Sequence, residues 1–92
     1  MLIALDFDGT YTEDPGFWDL VISAANHRGH KIIVATMRHE YEMEGESQRL
    51  LRKGISEVIC TGRKAKMKYL QDKGICPDVW IDDQPMFLFQ GG

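Results

Sequence analysis

The sequence predicts an α/β domain: a small, doubly wound, Rossmann-like parallel sheet of four to five strands with flanking helices. Its strand-like segments are short apolar runs without polar alternation, which is typical of strands buried on both faces. A helix-like segment separates successive runs, and such alternation favours parallel pairing through right-handed crossovers. The 92 residues carry no repeat and no linker. We therefore expect a single domain over residues 1–92.

The N-terminal part of the chain is predicted to form two strands and the helix between them. Residues 2–5 are a short apolar run and form the first strand. Asp14 followed by Pro15 is typical of a helix start, because aspartate accepts hydrogen bonds from free backbone amides and proline suits the first turn. Gly29 ends that helix, and the β-branched residues of 31–36 predict the second strand.

The rest of the chain repeats this alternation twice. We predict a helix over 46–53, a strand over 57–60, a helix over 65–73 and a strand over 78–81. The apolar tail at 86–89 is either a short fifth strand or one helical turn. Four further side chains are expected to face the interior: Leu50, Leu51, Trp18 and Trp80.

Composition and charge exclude several classes of protein. Hydrophobic residues make up 43% and charged residues 27% of the chain, which argues against disorder. The net charge of −3 provides no overall basic field that would attract nucleic acid. Apolar runs reach only four or five residues, so no membrane span is expected. The sequence begins without a signal-like segment, and Cys60 and Cys76 form no metal-binding pattern. These features predict a cytoplasmic protein with reduced thiols and no membrane association.

Polar side chains follow three of the predicted strands. Asp6 and Asp8 follow the first strand, and Asp82 and Asp83 follow the fourth. Thr36 ends the second strand. In doubly wound folds the carboxyl ends of the strands form the ligand-binding edge, where the strand order reverses. Carboxylates crowded at that edge raise one another's pKa or require a cation, and an oxygen-only donor set favours Mg²⁺.

Each of these residues also has an ordinary structural interpretation. An aspartate after a strand is often a helix cap or a turn residue. Thr36 alone would satisfy a backbone group, and the lysines near the third helix, Lys64, Lys66 and Lys68, would form a solvated face. Their joint placement at equivalent strand ends is what favours a functional site.

Residues 6–10, with the sequence DFDGT, resemble the DxDGT signature of the haloacid dehalogenase (HAD) superfamily. Members of this superfamily are mostly Mg²⁺-dependent phosphohydrolases. The resemblance extends over the whole chain, because Thr36 matches the second motif and Asp82-Asp83 match the acidic fourth motif. The chain is most similar to small HAD-like proteins of phage and prophage genomes that lack the usual cap domain.

The third motif of the superfamily is a lysine near the start of the helix before the fourth strand. Residues 61–67, TGRKAKM, resemble the strand–Gly–x–x–x–Lys–apolar pattern of its sugar-acid phosphatases. This register selects Lys66. Lys64 remains the alternative, and Lys68 is expected to face solvent.

The resemblance implies a catalytic role for four residues. Asp6 would attack phosphorus and form an aspartyl-phosphate. Asp8 would protonate the leaving oxygen and then accept a proton from the attacking water. Thr36 and Lys66 would bind the phosphoryl group. An acid two residues after the nucleophile indicates a phosphatase, since the ATPases of the superfamily carry threonine there.

The same resemblance implies a Mg²⁺ site. Its ligands would be the Asp6 carboxylate, the main-chain carbonyl of Asp8, and the acids Asp82 and Asp83. The cation would offset the repulsion between an anionic nucleophile and a phosphate dianion.

The short connections leave no room for a cap domain, so the site is expected to be open. An open site suits a bulky phosphorylated substrate such as a nucleotide or a polynucleotide end, or a small ester enclosed by a homo-oligomer. Thr10 and Arg38 are candidate substrate contacts. Arg38 suits phosphate or a base edge, but it would equally balance nearby acids.

Two alternatives to a phosphatase remain. The first is a non-catalytic HAD-like binding or adaptor domain that keeps the metal site, because Ile81 and Pro85 depart from the usual fourth motif. The second is a receiver-like signalling module, which also combines aspartates, threonine, lysine and Mg²⁺. Its phosphorylated aspartate follows the third strand, where this chain has Cys60-Thr61, so the sequence disfavours it.

Overall fold

Four parallel strands form one sheet in the computed structural model, which describes residues 1–92. The strands are β1 (Leu2–Leu5), β2 (Lys31–Thr36), β3 (Val58–Cys60) and β4 (Val79–Ile81). Their order in the sheet is β3-β2-β1-β4, so the direction of winding reverses between β1 and β4. This is the order of the first four strands of a Rossmann-type sheet, and the reversal marks the expected ligand-binding point. The predicted fold class is confirmed.

The register brings the carboxyl ends of the central strands to one edge. Leu5 of β1 pairs with Val34 of β2 on one side and with Ile81 of β4 on the other. The Asp6 amide donates to the Ile81 carbonyl at 2.9 Å, which continues this pairing one step beyond β1. Residues that follow β1 and β4 therefore leave the sheet side by side.

Three helices flank the sheet: α1 (Pro15–His27), α2 (Glu46–Arg52) and α3 (Lys66–Asp72). The predicted start of α1 is confirmed, since Asp14 Oδ1 accepts a hydrogen bond from the Phe17 amide at 3.2 Å. β1 and β2 have their predicted bounds. β3 and β4 each begin one residue later than predicted, a difference of the size expected where strand ends are assigned. No helix combines the length and the apolar character needed to cross a membrane.

The tail adopts the helical of its two predicted forms. A 3-10 helix spans Pro85–Leu88, so the sheet has four strands rather than five. Proline in the first turn has its backbone angle preset for a helix and has no amide to donate to a strand. Leu88 is buried, and the segment packs against α3.

Apolar side chains cover both faces of the sheet, because helices pack on both faces as in other doubly wound folds. Neighbouring strand residues point to opposite faces, so Ile32 and Val34 lie in one cluster while Ile33 and Ala35 lie in the other. The first cluster includes Ile22 of α1 and Leu50 of α2, and the second includes Leu70 of α3.

The expectation that both leucines of α2 face inward was wrong for one of them. Leu50 is fully buried, but Leu51 is 47% exposed, because consecutive residues lie about 100° apart around a helix. Trp18 and Trp80 are only half-buried and pack at the margins of the two clusters.

Candidate functional site

Three carboxylates meet where the strand order reverses. Asp6 follows β1, Asp82 and Asp83 follow β4, and one oxygen from each lies within 4.8 Å of the others. Asp6 is buried, Asp82 is half-buried as a whole residue but has a side chain only 3% exposed, and Asp83 is exposed. Gly9 permits this approach, because its φ of +81° favours glycine and a side chain there would overlap the Asp83 carboxylate.

Lys66 is the cation of this cluster. It begins α3, its side chain is only 3% exposed, and its Nζ donates to Asp6 Oδ1 at 2.6 Å and to Asp82 Oδ2 at 2.7 Å. The other two lysines considered for this position lie elsewhere. The Lys64 Nζ lies 5.8 Å from the centre of the Tyr69 ring, and Lys68 is exposed beside Asp72. Among the three lysines, only Lys66 reaches the aspartates.

Thr10 forms hydrogen bonds that link the carboxylates of Asp6 and Asp83. Its hydroxyl lies 3.2 Å from Asp6 Oδ2 and 3.1 Å from Asp83 Oδ1, and it accepts a hydrogen bond from the Asp83 amide at 3.2 Å. A hydroxyl has one proton, so it donates to one carboxylate at a time. Thr10 is buried and does not line the open cleft. Although the sequence made it a candidate substrate contact, the structure shows it holding two acids together.

The crowded carboxylates differ in their affinity for protons. Burial raises the pKa of Asp6 from 3.8 to about 6, with Lys66 opposing the rise and Asp83 and Asp82 adding to it. The pKa of Asp83 is lowered, chiefly by its hydrogen bond with Asp6 and further by Thr10. Lys66 is the only buried cation, so binding of a proton or of an added cation lowers the electrostatic repulsion within the cluster.

Thr36 and Arg38 lie on the other side of the cleft, at the end of β2 and two residues beyond it. Thr36 is buried, and its Oγ1 accepts a hydrogen bond from the Arg38 amide at 3.2 Å. The Arg38 guanidinium forms a two-point contact with Asp8, with Nε to Oδ2 at 2.8 Å and Nη2 to Oδ1 at 2.7 Å. It also lies 5.0 Å from the centre of the Phe7 ring and donates to the Glu42 carbonyl.

Asp8 is therefore turned toward Arg38 and away from the other acids. Its carboxylate is exposed and is not part of the three-carboxylate cluster. Its main-chain carbonyl accepts no hydrogen bond within the protein, so that oxygen is free to act as a ligand. Both interpretations of Arg38 made from the sequence remain compatible with its position, because it balances an acid and also lines the cleft.

An open cleft of about 240 Å³ brings together most of the residues selected from the sequence. These are Asp6, Asp8, Thr36, Arg38, Lys66, Asp82 and Asp83.

The side chains of this cleft that sequence reasoning missed include Arg63, Gln84 and Phe87. Arg63 follows β3 at the same edge, so the criterion that selected the aspartates would also have selected it. Its φ is +72°, and its guanidinium donates to the Met37 carbonyl and to both carboxylate oxygens of Glu42. Phe87 belongs to the tail, whose conformation the sequence left open.

Comparison of the chain with protein-family models, with curated proteins and with solved structures found no match. The geometry of the cleft is thus the basis for assigning a function. The sheet order also bears on the receiver-like alternative, because flavodoxin-like signalling domains have the order 2-1-3-4-5 rather than 3-2-1-4. In addition, β3 lies at the edge of the sheet and ends in Cys60 without a carboxylate.

Proposed function

We propose that the protein is a HAD-type phosphatase that hydrolyses phosphomonoesters with Mg²⁺ and a covalent intermediate on Asp6. The observation that carries the proposal is the Lys66 ammonium buried between Asp6 and Asp82 at the carboxyl edge of the sheet. A carboxylate attacks a phosphate dianion only if positive charge offsets their repulsion. A buried cation in contact with the nucleophile supplies that charge without reorganisation.

The donor set in the cleft fits Mg²⁺. Three carboxylates lie within reach of one ion, and neither histidine nor cysteine lines the cleft. Lys66 alone offsets only one of these three negative charges. The residues that would hold the cation are Asp6, Asp82 and Asp83, together with the free carbonyl of Asp8. When bound, Mg²⁺ would neutralise charge on the phosphoryl oxygens.

Asp6 acts as the nucleophile in the proposed reaction. One of its oxygens forms a bond to phosphorus while the ester oxygen leaves with a proton from Asp8. Lys66 and Thr10 orient the Asp6 carboxylate, and the Thr36 hydroxyl lies at the cleft to bind a phosphoryl oxygen. Water then attacks the aspartyl-phosphate and gives its proton to Asp8. Inorganic phosphate leaves, and the Asp6 carboxylate is restored.

Asp8 must exchange a proton in both steps, and its contact with Arg38 limits when it does so. Both of its oxygens accept hydrogen bonds from the guanidinium. Proton transfer therefore requires Arg38 to move or to share its guanidinium with the substrate phosphate. Arginine is suited to such sharing, because its fork matches a phosphate as well as a carboxylate.

The test is hydrolysis of a generic aryl phosphate with and without Mg²⁺. We expect metal-dependent turnover that falls by about 10²–10⁴ in Asp8→Asn, the size expected for losing a general acid, and at least as far in Asp6→Asn. Asp14→Asn is the matched control, because it makes the same chemical change outside the cleft and asparagine keeps the helix cap. Equal loss in the control would contradict the assignment.

A second candidate is a binding domain that keeps the metal site without turnover. The observation that favours it is the full engagement of Asp8 by Arg38, which leaves no free acid in place. Thermal stabilisation by Mg²⁺ would support this candidate if aryl phosphates and 3′- and 5′-phosphorylated oligonucleotides were all left intact.

A further inference from the structure

Positive charge is concentrated in one short segment of an otherwise acidic chain. Residues 63–73 hold five of the eleven lysines and arginines and only one of the fourteen acidic residues. The whole chain has a net charge of −3, so the remainder is strongly negative. A polyanion would be attracted to this segment and repelled from most of the rest of the surface.

Three of these cations form a surface outside the catalytic cleft. Lys64, Lys68 and Lys73 are exposed, and two of them flank one aromatic ring. The Nζ atoms of Lys64 and Lys73 lie 5.8 and 5.2 Å from the centre of the Tyr69 ring. We call this surface the α3 groove; it is lined by Lys64, Ala65, Lys68, Tyr69, Asp72 and Lys73.

The α3 groove and the cleft are lined by neighbouring residues of the chain. Arg63 lines the cleft, and Lys64 is the next residue along the chain. The Thr61 hydroxyl donates to the Lys64 carbonyl at 2.8 Å, which fixes the loop that joins them. α3 itself presents Lys66 to the cleft and Lys68 to the groove. A ligand that leaves the cleft over Arg63 would reach the groove after passing Gly91 and Gly92, since Gly92 lines the cleft and its amide donates to the Arg63 carbonyl at 3.0 Å.

We propose that the α3 groove binds the chain of a single-stranded nucleic acid whose terminal phosphate lies in the cleft. This inference rests on the proposed function and narrows its substrate class. α3 has seven residues and a length of about 10 Å, so the groove would contact a short stretch of the strand. Lysine ammonium groups suit backbone phosphates, and the Tyr69 ring suits a stacked base once a lysine that lies over it moves to a phosphate. An acidic peptide would contact the lysines but would have no base to stack on the Tyr69 ring.

Binding of a fluorescently labelled, unphosphorylated single-stranded DNA, followed by anisotropy, tests the groove. The variant is Lys64→Gln/Lys68→Gln/Lys73→Gln. Its matched control is Arg28→Gln/Lys31→Gln/Arg52→Gln, which removes the same charge from exposed side chains outside the groove. We expect binding to weaken about tenfold or more in the groove variant. The slope of log K against log salt concentration should also become less steep by about 2, at about 0.7 for each lost phosphate contact.

Equal weakening in the groove variant and the control would overturn the inference, because only net charge would then matter. Binding of polyglutamate at the groove, without binding of DNA, would overturn it in favour of an acidic peptide. The DNA carries no terminal phosphate, so this experiment is independent of catalysis. Aryl phosphate hydrolysis by the wild-type protein tests the proposed function separately. Groove-dependent DNA binding, with aryl phosphate and 3′- and 5′-phosphorylated oligonucleotides all left intact, would therefore refute the phosphatase and support the groove.

Discussion

Two contacts between a cation and carboxylates lie on opposite sides of the same cleft, and they differ in burial. Lys66 contacts Asp6 and Asp82 with all three side chains less than a tenth exposed. Arg38 contacts Asp8 with the two side chains 30% and 54% exposed. The distances are nearly equal, at 2.6 to 2.7 Å. Distance alone would therefore give the two contacts equal weight.

Burial gives them different roles. Removing one partner of a buried ion pair costs about 3–5 kcal/mol, because the remaining charge cannot be hydrated. An exposed pair contributes about 0.2–1 kcal/mol, because water and salt screen it. The Lys66 contact is thus a fixed part of the fold, whereas the Arg38 contact opens at little cost. In the proposed reaction the nucleophile Asp6 must be held still, while Asp8, which exchanges protons, must be released.

The largest predicted effect comes from removing the buried cation. Lys66→Met leaves Asp6 and Asp82 without their charged partner, and we expect the free energy of unfolding to fall by about 3–5 kcal/mol at neutral pH. Denaturant unfolding measures this directly. Lys68→Met is the matched control on the same helix, where the side chain is 79% exposed, and a change within about 0.5 kcal/mol is expected. Similar losses in both variants would show that burial is not what separates these contacts.

The next effect is the pH dependence that Asp6 gives to the metal-free protein. Its pKa is about 6 in the folded state and 3.8 as an ordinary aspartate, so folding favours the protonated form. The contribution of Asp6 to the free energy of unfolding is fully present below pH 4 and is lost as the pH rises from 4 through 6. Asp6→Asn removes that loss, and Lys66 keeps a charged partner because it still contacts Asp82. We expect the variant to be about 1–3 kcal/mol more stable than wild type at pH 8, with no gain at pH 4.

Denaturant unfolding in the presence of a chelator, at pH 4 and pH 8, checks this prediction. Asp14→Asn again serves as the control, because its carboxylate lies outside the crowded cluster. If Asp6→Asn were no more stable than wild type at pH 8, the acids would not be crowded as the structure shows.

Added Mg²⁺ should act on the same cluster with a smaller effect. At ten times its dissociation constant, a ligand of the folded state adds about 1.4 kcal/mol, which raises the Tm of a domain of this size by about 6–11 °C. Thermal unfolding across millimolar Mg²⁺ measures the shift. Asp83→Asn removes one proposed ligand and should reduce it. A flat titration of the wild-type protein would count against a metal site.

The sequence predicted the parts of this fold that depend on local pattern. β1 and β2 have their predicted bounds because each is an uninterrupted apolar run, and α1 begins at its predicted cap. The meeting of Asp6 with Asp82 was also predictable, because parallel strands bring their carboxyl ends to one edge. That these residues form a phosphatase site stays a prediction.

Other features depend on contacts between distant segments. The four apolar residues at 86–89 fit a strand or a helical turn equally well, and packing against α3 accompanies the helical form. Arg38 has several acids within reach of its long side chain, so its pairing with Asp8 is decided by the relative positions of two loops. Arg63 reaches the cleft from a left-handed backbone conformation that no sequence pattern indicates.

The smallest predicted effect is the loss of the exposed contact. Arg38→Gln removes the pairing with Asp8, and we expect the free energy of unfolding to change by about 1 kcal/mol or less. Arg49→Gln is the matched control, since Arg49 makes an exposed contact with Glu46 outside the cleft. The two variants should differ instead in their effect on Asp8. Freed from Arg38, Asp8 would transfer protons without a competing partner, so the rate of the proposed hydrolysis should change in Arg38→Gln and stay unchanged in Arg49→Gln. A loss of stability in Arg38→Gln as large as that in Lys66→Met would show that the Arg38–Asp8 contact is also a fixed part of the fold. The two contacts would then not differ in their energetic role.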